Sequence, residues 1–254
     1  MIEKVSQSVE VFSLNKNDDI KAAADAVLEG KITILRVGSV FSIVFSPYIE
    51  GLADKVGLIK GRSEGQLMSV VATYAQMKGI VDKQRVNEDF YRISEHFCGK
   101  VIVRIPVDKT LSLPFPYNAK DGSLQILNFK ETHPLRGAFR EELAAGGCDF
   151  ISITSANLHG APTIVDVEAA KLLAALFNMK ASFFGVGDTR TVVTDIPADD
   201  GGYKGSFIIL SFCNPDAIEV KRLANKTDRE VTENCLNELF ASIKTKTPLV
   251  YNLE

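Results

Sequence analysis

The chain of 254 residues has no tryptophan, four cysteines and three histidines. Cys98, Cys148, Cys213 and Cys235 lie far apart, and no two form a C-x-x-C pair. That spacing argues against a zinc knuckle, a redox dithiol or a secreted disulfide framework. With only His96, His133 and His159 available, a compact His/Cys metal site is not expected, and no metal-binding set is assigned. No apolar run approaches the roughly 18 residues of a membrane span. Residues 1–7 hold no basic stretch followed by an apolar one, so no signal peptide is expected. A cytoplasmic protein without membrane contact is the expectation. Positive charge is not in excess either. Lys+Arg is 29, Asp+Glu is 32, and the net charge is −3. Nucleic acid or nucleotide would therefore be met by a local basic pocket, not by a broadly basic face.

What is present suits a globular α/β protein. The apolar share of 46% and the charged share of 24% exclude a disordered or fibrous chain. The length predicts one to two domains. Strand-like runs fall at residues 32–37, 67–71, 101–105, 124–129, 150–153, 191–193 and 207–210. Between them lie helical patterns. The first, capped by Asp18 or Asp19, puts Ile20, Ala23, Ala24, Val27 and Leu28 on one face. A second is predicted from Pro47 to Gly57, and others start at Pro134 and Asp166. The last opens with a capping box, Thr227 and Glu230. Strands and helices alternate unevenly, which predicts a mixed sheet with flanking helices. Residues 106–122, rich in proline, read as loop.

Three segments carry candidate chemistry. Lys60-Gly61-Arg62 sets two cations around a glycine at a helix end. Lys60 offers a point charge, and Arg62 a planar fork for phosphate or carboxylate. Thr154-Ser155-Ala156-Asn157 follows a short apolar strand and offers hydroxyls and an amide. If the tract is extended, Ser155 and Asn157 share one side. Thr189-Arg190-Thr191 leads into a β-branched run, where Thr189, Arg190 and Thr191 could line a pocket. Taken singly, these segments are better read as a basic turn, a Ser/Asn turn and the start of a hairpin.

Together, in this order, K-G-R, T-S-A-N-x-x-G and T-x-V-V-x-D resemble the YrdC-like family of threonylcarbamoyl-AMP synthases. The resemblance runs from Ile20 to Leu210 and includes Glu29-Gly30-Lys31 and His133-Pro134. It implies a YrdC-like fold with a twisted mixed sheet and a concave basic cavity. It sets a domain at residues 20–222, an N-terminal extension at 1–19 and a C-terminal helical appendage at 223–254. The implied reaction condenses L-threonine or a related amine with bicarbonate and ATP, giving an acyl-adenylate and pyrophosphate. The product feeds threonylcarbamoyl modification of tRNA, so tRNA or tRNA-modifying proteins are implied partners. Mg²⁺ would be held by the phosphates. Lys60, Arg62, Ser155 and Asn157 match the family's K-x-R and S-x-N residues and carry nucleotide binding. Lys60 and Arg62 are the implied catalytic charges, with Thr154, Thr189 and Thr191 as further phosphate-binding candidates.

The chain departs from the family at its first strand, usually close to P-T-D-T-V-Y-G. The stretch here is Arg36-Val37-Gly38-Ser39-Val40-Phe41-Ser42. Strand alternation would put Val37, Ser39 and Phe41 on one face as the amino-acid pocket, more apolar than the family's. The expected arginine before His133 is replaced by Lys130, and the threonine of the G-P-L-T strand is lost near Gly99. Two other readings accompany the enzyme. One is a non-catalytic nucleotide- or RNA-binding module. The other is a carbamoyl-transfer enzyme of specialised metabolism.

Overall fold

The computed structural model describes residues 9–37, 40–62, 68–87, 89–96, 101–118, 120–128, 134–186, 190–195, 207–223 and 229–253. The chain divides into two compact units, Met1–Met68 with Glu131–Lys204, and Ser69–Lys130 with Gly205–Glu254.

The first unit holds strands β1 (Val11–Ser13), β2 (Ile32–Val37), β3 (Val40–Phe45), β7 (Ile151–Ser155) and β8 (Thr191–Asp195). Their order is β1-β8-β2-β3-β7. β8 runs parallel to both β1 and β2, whereas β2–β3 and β3–β7 are antiparallel. The predicted mixed sheet is therefore present. Helices α1 (Asn17–Leu28), α2 (Leu52–Lys60), α5 (Pro134–Ala145) and α6 (Val167–Phe183) accompany it. One sheet face presents Ile32, Ile34, Phe41, Ile43, Phe45 and Val193. Leu52, Val56 and Ile59 of α2 and Ala170, Ala174 and Phe177 of α6 close over it. Burying a side chain of this size contributes about 1.5–3 kcal/mol.

Several local expectations change. α1 starts after Lys16, which makes no side-chain cap, while Asp18 and Asp19 sit in the first turn. There they complement the helix dipole, and Asp19 accepts the Ser13 N–H at 2.9 Å instead of capping. α2 begins at Leu52, not Pro47, and runs through Gly57 to Lys60. The Gly57 carbonyl accepts the Arg62 N–H at 3.0 Å, so that glycine lies inside the closing turn. The stop falls at Gly61, with φ +73°, the left-handed conformation that a glycine adopts without strain.

The largest change is β3. Residues 36–42 were expected to form one extended strand. Instead Val37 pairs with Val40, and Arg36 with Phe41, as the arms of a hairpin. Cross-strand partners share a face, so Val37 and Phe41 point to opposite faces and Arg36 joins Phe41. The Arg36 guanidinium stands 4.8 Å from the Phe41 ring centroid. Ser39 lies outside the described residues.

The second unit holds β4 (Ser69–Ala72), β5 (Val101–Pro106), β6 (Ser123–Asn128), β9 (Ile208–Ser211), β10 (Ile218–Arg222) and β11 (Leu249–Tyr251), in the order β4-β6-β5-β9-β10-β11. Its helices are α3 (Tyr74–Ile80), α4 (Asp89–His96) and α7 (Arg229–Ile243). A capping box closes α3, where Thr73 Oγ1 accepts the Gln76 N–H at 3.0 Å and Gln76 Oε1 the Thr73 N–H at 2.8 Å. The capping box expected at Thr227 falls outside the described residues. Within the stretch read as a terminal helical appendage, β11 also pairs in parallel with β10. Likewise, β1, in the stretch read as an extension, pairs with β8. Buried Asp89 ties α4 to the turn after α7. Its carboxylate accepts the backbone N–H of Lys246 at 2.9 Å and of Thr247 at 3.0 Å, and the Thr247 hydroxyl at 2.9 Å. Among the described residues, no helix is long and apolar enough to cross a membrane.

Candidate functional site

The C-terminus of α2 and the end of β7 bring the K-G-R and T-S-A-N segments together inside the first unit. Gly61 closes α2 so that Lys60 is its last helical residue and Arg62 leaves just beyond. Lys60 is buried, with 2% exposure. Its ammonium donates to the Ser155 carbonyl and, at 3.1 Å, to Asn157 Oδ1. Arg62 donates to Thr154 Oγ1 at 2.6 Å. The Lys60 carbonyl accepts the His159 N–H at 3.0 Å, so exposed His159 serves through its backbone.

Ser155 and Asn157 meet for a reason other than alternation. β7 ends at Ser155, and the Asn157 N–H turns back to the Ser155 carbonyl at 3.0 Å. The Ser155 hydroxyl then donates to Asn157 Oδ1 at 2.6 Å, while the Asn157 amide donates to the Ala161 carbonyl. The tract is a turn, and its side chains form a bonded network that holds Asn157 Oδ1 towards Lys60.

Both acceptors of Lys60 are neutral, so no counter-charge offsets the burial of its own. Burial, followed by repulsion from Arg62, pushes the Lys60 amine down to about 7. A cation held in this way gains most from an incoming anion.

Not every expected residue joins the group. Thr191 is buried on β8, and the strand order places β2 and β3 between β8 and β7. Three interstrand spacings amount to about 14 Å. Its N–H donates to Asn178 Oδ1 at 3.1 Å, and its hydroxyl has no hydrogen-bond partner among the described residues. Thr189 lies outside the described residues, as do Lys130 and Gly99. Of the expected amino-acid pocket, Phe41 adjoins the cluster, because its carbonyl accepts the Ala156 N–H at 3.0 Å. Val37 is on the opposite face of the hairpin.

Two contributors were not anticipated. Lys180 of α6 donates to the Ile59 carbonyl at 3.0 Å, supplying a cation at the C-terminus of α2. Arg36 joins the Phe41 face and donates to the Val165 carbonyl at 3.3 Å. The hairpin had a signal, since Gly38-Ser39 between two apolar runs is the pattern of a two-residue connection. The Lys180 contact spans 121 residues and has no local signature.

The sequence matches no family profile and no curated protein. Solved structures do match. P. abyssi Sua5 complexed with L-threonine aligns at TM-score 0.65 and 13% identity, over 95% of this chain and 62% of that one. The chain has the Sua5 fold. E. coli YciO aligns at TM-score 0.62 and 11% identity, over 84% of this chain and 95% of YciO. Full-length HypF in its phosphate- and nucleotide-bound form aligns at TM-score 0.57 and 20% identity, over 80% of this chain and 28% of HypF. This chain spans about three-fifths of the length of the Sua5 structures, 56% and 62%. A Sua5-like α/β fold agrees with the fold implied by the K-G-R and T-S-A-N resemblance. At these identities the likeness is one of fold.

Proposed function

We propose that the chain is an acyl-adenylate-forming enzyme of the threonylcarbamoyl-AMP synthase type, working on MgATP, bicarbonate and a small amine. The observation that carries this reading is the meeting of Lys60 and Arg62 with Thr154, Ser155 and Asn157, 92 to 97 residues away. It is an anion-binding arrangement, with a buried cation, a guanidinium fork and hydroxyls. The ligands named for the structural neighbours, L-threonine for Sua5 and phosphate with nucleotide for HypF, support it.

In the proposed reaction the amine and bicarbonate form a carbamate with loss of water. A carbamate oxygen then attacks the α-phosphorus of ATP. The bond from that phosphorus to the bridging oxygen breaks, and pyrophosphate leaves. No side-chain nucleophile takes part. Lys60 and Arg62 neutralise the phosphates, while Thr154, Ser155 and Asn157 orient them. Mg²⁺ enters with its nucleotide. The ion would be held by phosphate oxygens and water. The setting we propose is cytoplasmic, with the product passed to tRNA modification.

The amine pocket is the least family-like part. Phe41, the one described residue of the expected pocket that adjoins the cluster, offers no hydroxyl, and an unpaired threonine hydroxyl would cost about 1–3 kcal/mol. We therefore expect no strict demand for threonine over 2-aminobutyrate. The test is pyrophosphate release from MgATP across a panel of amino acids, with and without bicarbonate. Release that needs both bicarbonate and an amine supports the proposal. MgATP binding without release under any combination would contradict it and leave a nucleotide-binding module.

A further inference from the structure

Helix α6 is apolar on two faces. Its inner face buries Ala170, Leu173, Ala174, Phe177 and Ala181. On the outer side, Ala169, Leu172, Leu176, Met179 and Phe183 follow one another at intervals of three, four, three and four residues. That alternation is the heptad seam by which one helix packs against another, knobs into holes. A helix that needed only one buried face would carry polar residues along this line.

Three of the five seam residues are exposed among the described residues, and Ala169 and Leu176 are half-buried. Leu172 is 48% exposed, Met179 54%, Phe183 85% and Phe184 46%. Phe183 and Phe184 meet edge to face at 5.3 Å and extend the patch past the helix end. Charge is nearly absent along it. The ion pair of Lys171 with Glu168, at 2.6 Å, lies at the helix start. From residue 172 to 184 the one charged side chain is Lys180, which is bound to the Ile59 carbonyl at 3.0 Å.

We propose that this seam pairs with the same seam of a second copy, so that α6 packs on α6 across a two-fold axis. The seam's lack of charge makes it compatible with itself, as a two-fold contact requires. Size agrees as well. Taking roughly 200 Å² for a whole large side chain, the four exposures amount to on the order of 500 Å² per copy. That is roughly three-fifths of a standard interface, about 800 Å² per partner, whose remainder is the polar rim. The helix is already ordered by its inner face, so pairing carries no cost of helix nucleation. The proposal is independent of the chemistry assigned to the Lys60 cluster.

Sedimentation equilibrium across the micromolar range tests it. The wild-type chain is expected to be a dimer, and Phe183→Glu is expected to weaken it tenfold or more. Leu172→Glu, at the other end of the seam, should do the same. Leu111→Glu, exposed in the second unit, should leave the dimer intact. Phe183 is largely in solvent and Leu172 about half so, so far-ultraviolet circular dichroism should be unchanged and will separate dissociation from unfolding. A monomeric wild type would overturn the proposal, as would a dimer indifferent to both seam substitutions. Association of a monomeric chain with lipid vesicles through the seam would also overturn it, and would assign the face to a membrane surface.

Discussion

Lys60 is the residue on which chemistry and stability meet. Its amine falls from 10.5 to about 7 because it is buried and then because Arg62 repels it. Below pH 7 it is protonated in both folded and unfolded chains, and the cost of burying its charge is fully present. Between about 7 and 10.5 the unfolded chain binds more protons, so this group's contribution to stability rises with pH. Lys60→Met should remove that rise, leave the melting temperature at pH 7 at or above that of the wild type, and lose nucleotide binding. A thermal scan at several pH values, paired with a binding titration, checks both halves. A large fall in melting temperature at pH 7 would mean that Lys60 is a structural strut. Arg62 makes a different demand. Its fork meets Thr154 Oγ1 at 2.6 Å, and a lysine cannot reproduce a planar fork. A lost charged hydrogen bond is worth about 1.5–3 kcal/mol, so Arg62→Lys should weaken MgATP binding tenfold or more by calorimetry. Unchanged affinity would make Arg62 a bystander.

At the scale of elements, the turn after α7 depends on Asp89. Hydrogen bonds from Thr247, Arg92 and Lys246 outweigh its burial and hold its carboxyl below the usual carboxylate value. A depressed carboxyl contributes stability above its unfolded value near 3.8, and loses that contribution as pH falls through the folded value. Asp89→Asn keeps the shape but turns one of the two acceptor oxygens into a donor, which then faces either the N–H groups of Lys246 and Thr247 or the Arg92 guanidinium. It should cost about 2–3 kcal/mol, and hydrogen exchange should show Lys246 and Thr247 opening first. Protection equal to the wild type would show that the latch carries no load. Elements with long periodic faces were legible from sequence. α1 and α6 run close to their expected spans because burial repeats every three to four residues along them. The hairpin was not, since β2 and β3 are both buried almost throughout. Without polar alternation, only the Gly38-Ser39 pair marked their boundary. α3 and α4, of 7 and 8 residues, are too short for a period to show. In the site, the approach of K-G-R to T-S-A-N could be expected only from the resemblance. The turn that joins Ser155 to Asn157 rests on the Asn157 side chain reaching Ala161, which spacing alone does not reveal.

At the scale of the whole molecule, charge limits what the chain can bind. A net charge of −3 gives no general attraction to phosphate backbones, and the affinity that a few local cations supply is weak and falls with salt in proportion to their number. Binding to arbitrary duplex RNA should be weak at physiological salt, as read by filter binding over a salt series. Tight, salt-insensitive binding would favour an RNA module over an enzyme. The account's central claim is that the buried Lys60 receives the phosphates of a nucleotide, and proton linkage tests it most directly. With the free amine near 7, the bound phosphates should hold it protonated. MgATP binding at pH 8 should then take up close to one proton, and much less at pH 6. Calorimetric titrations in buffers of different ionisation heat measure that uptake. Uptake near one proton at pH 8, absent in Lys60→Met, is the predicted result. Binding with no proton uptake, or no binding at all, would contradict the account.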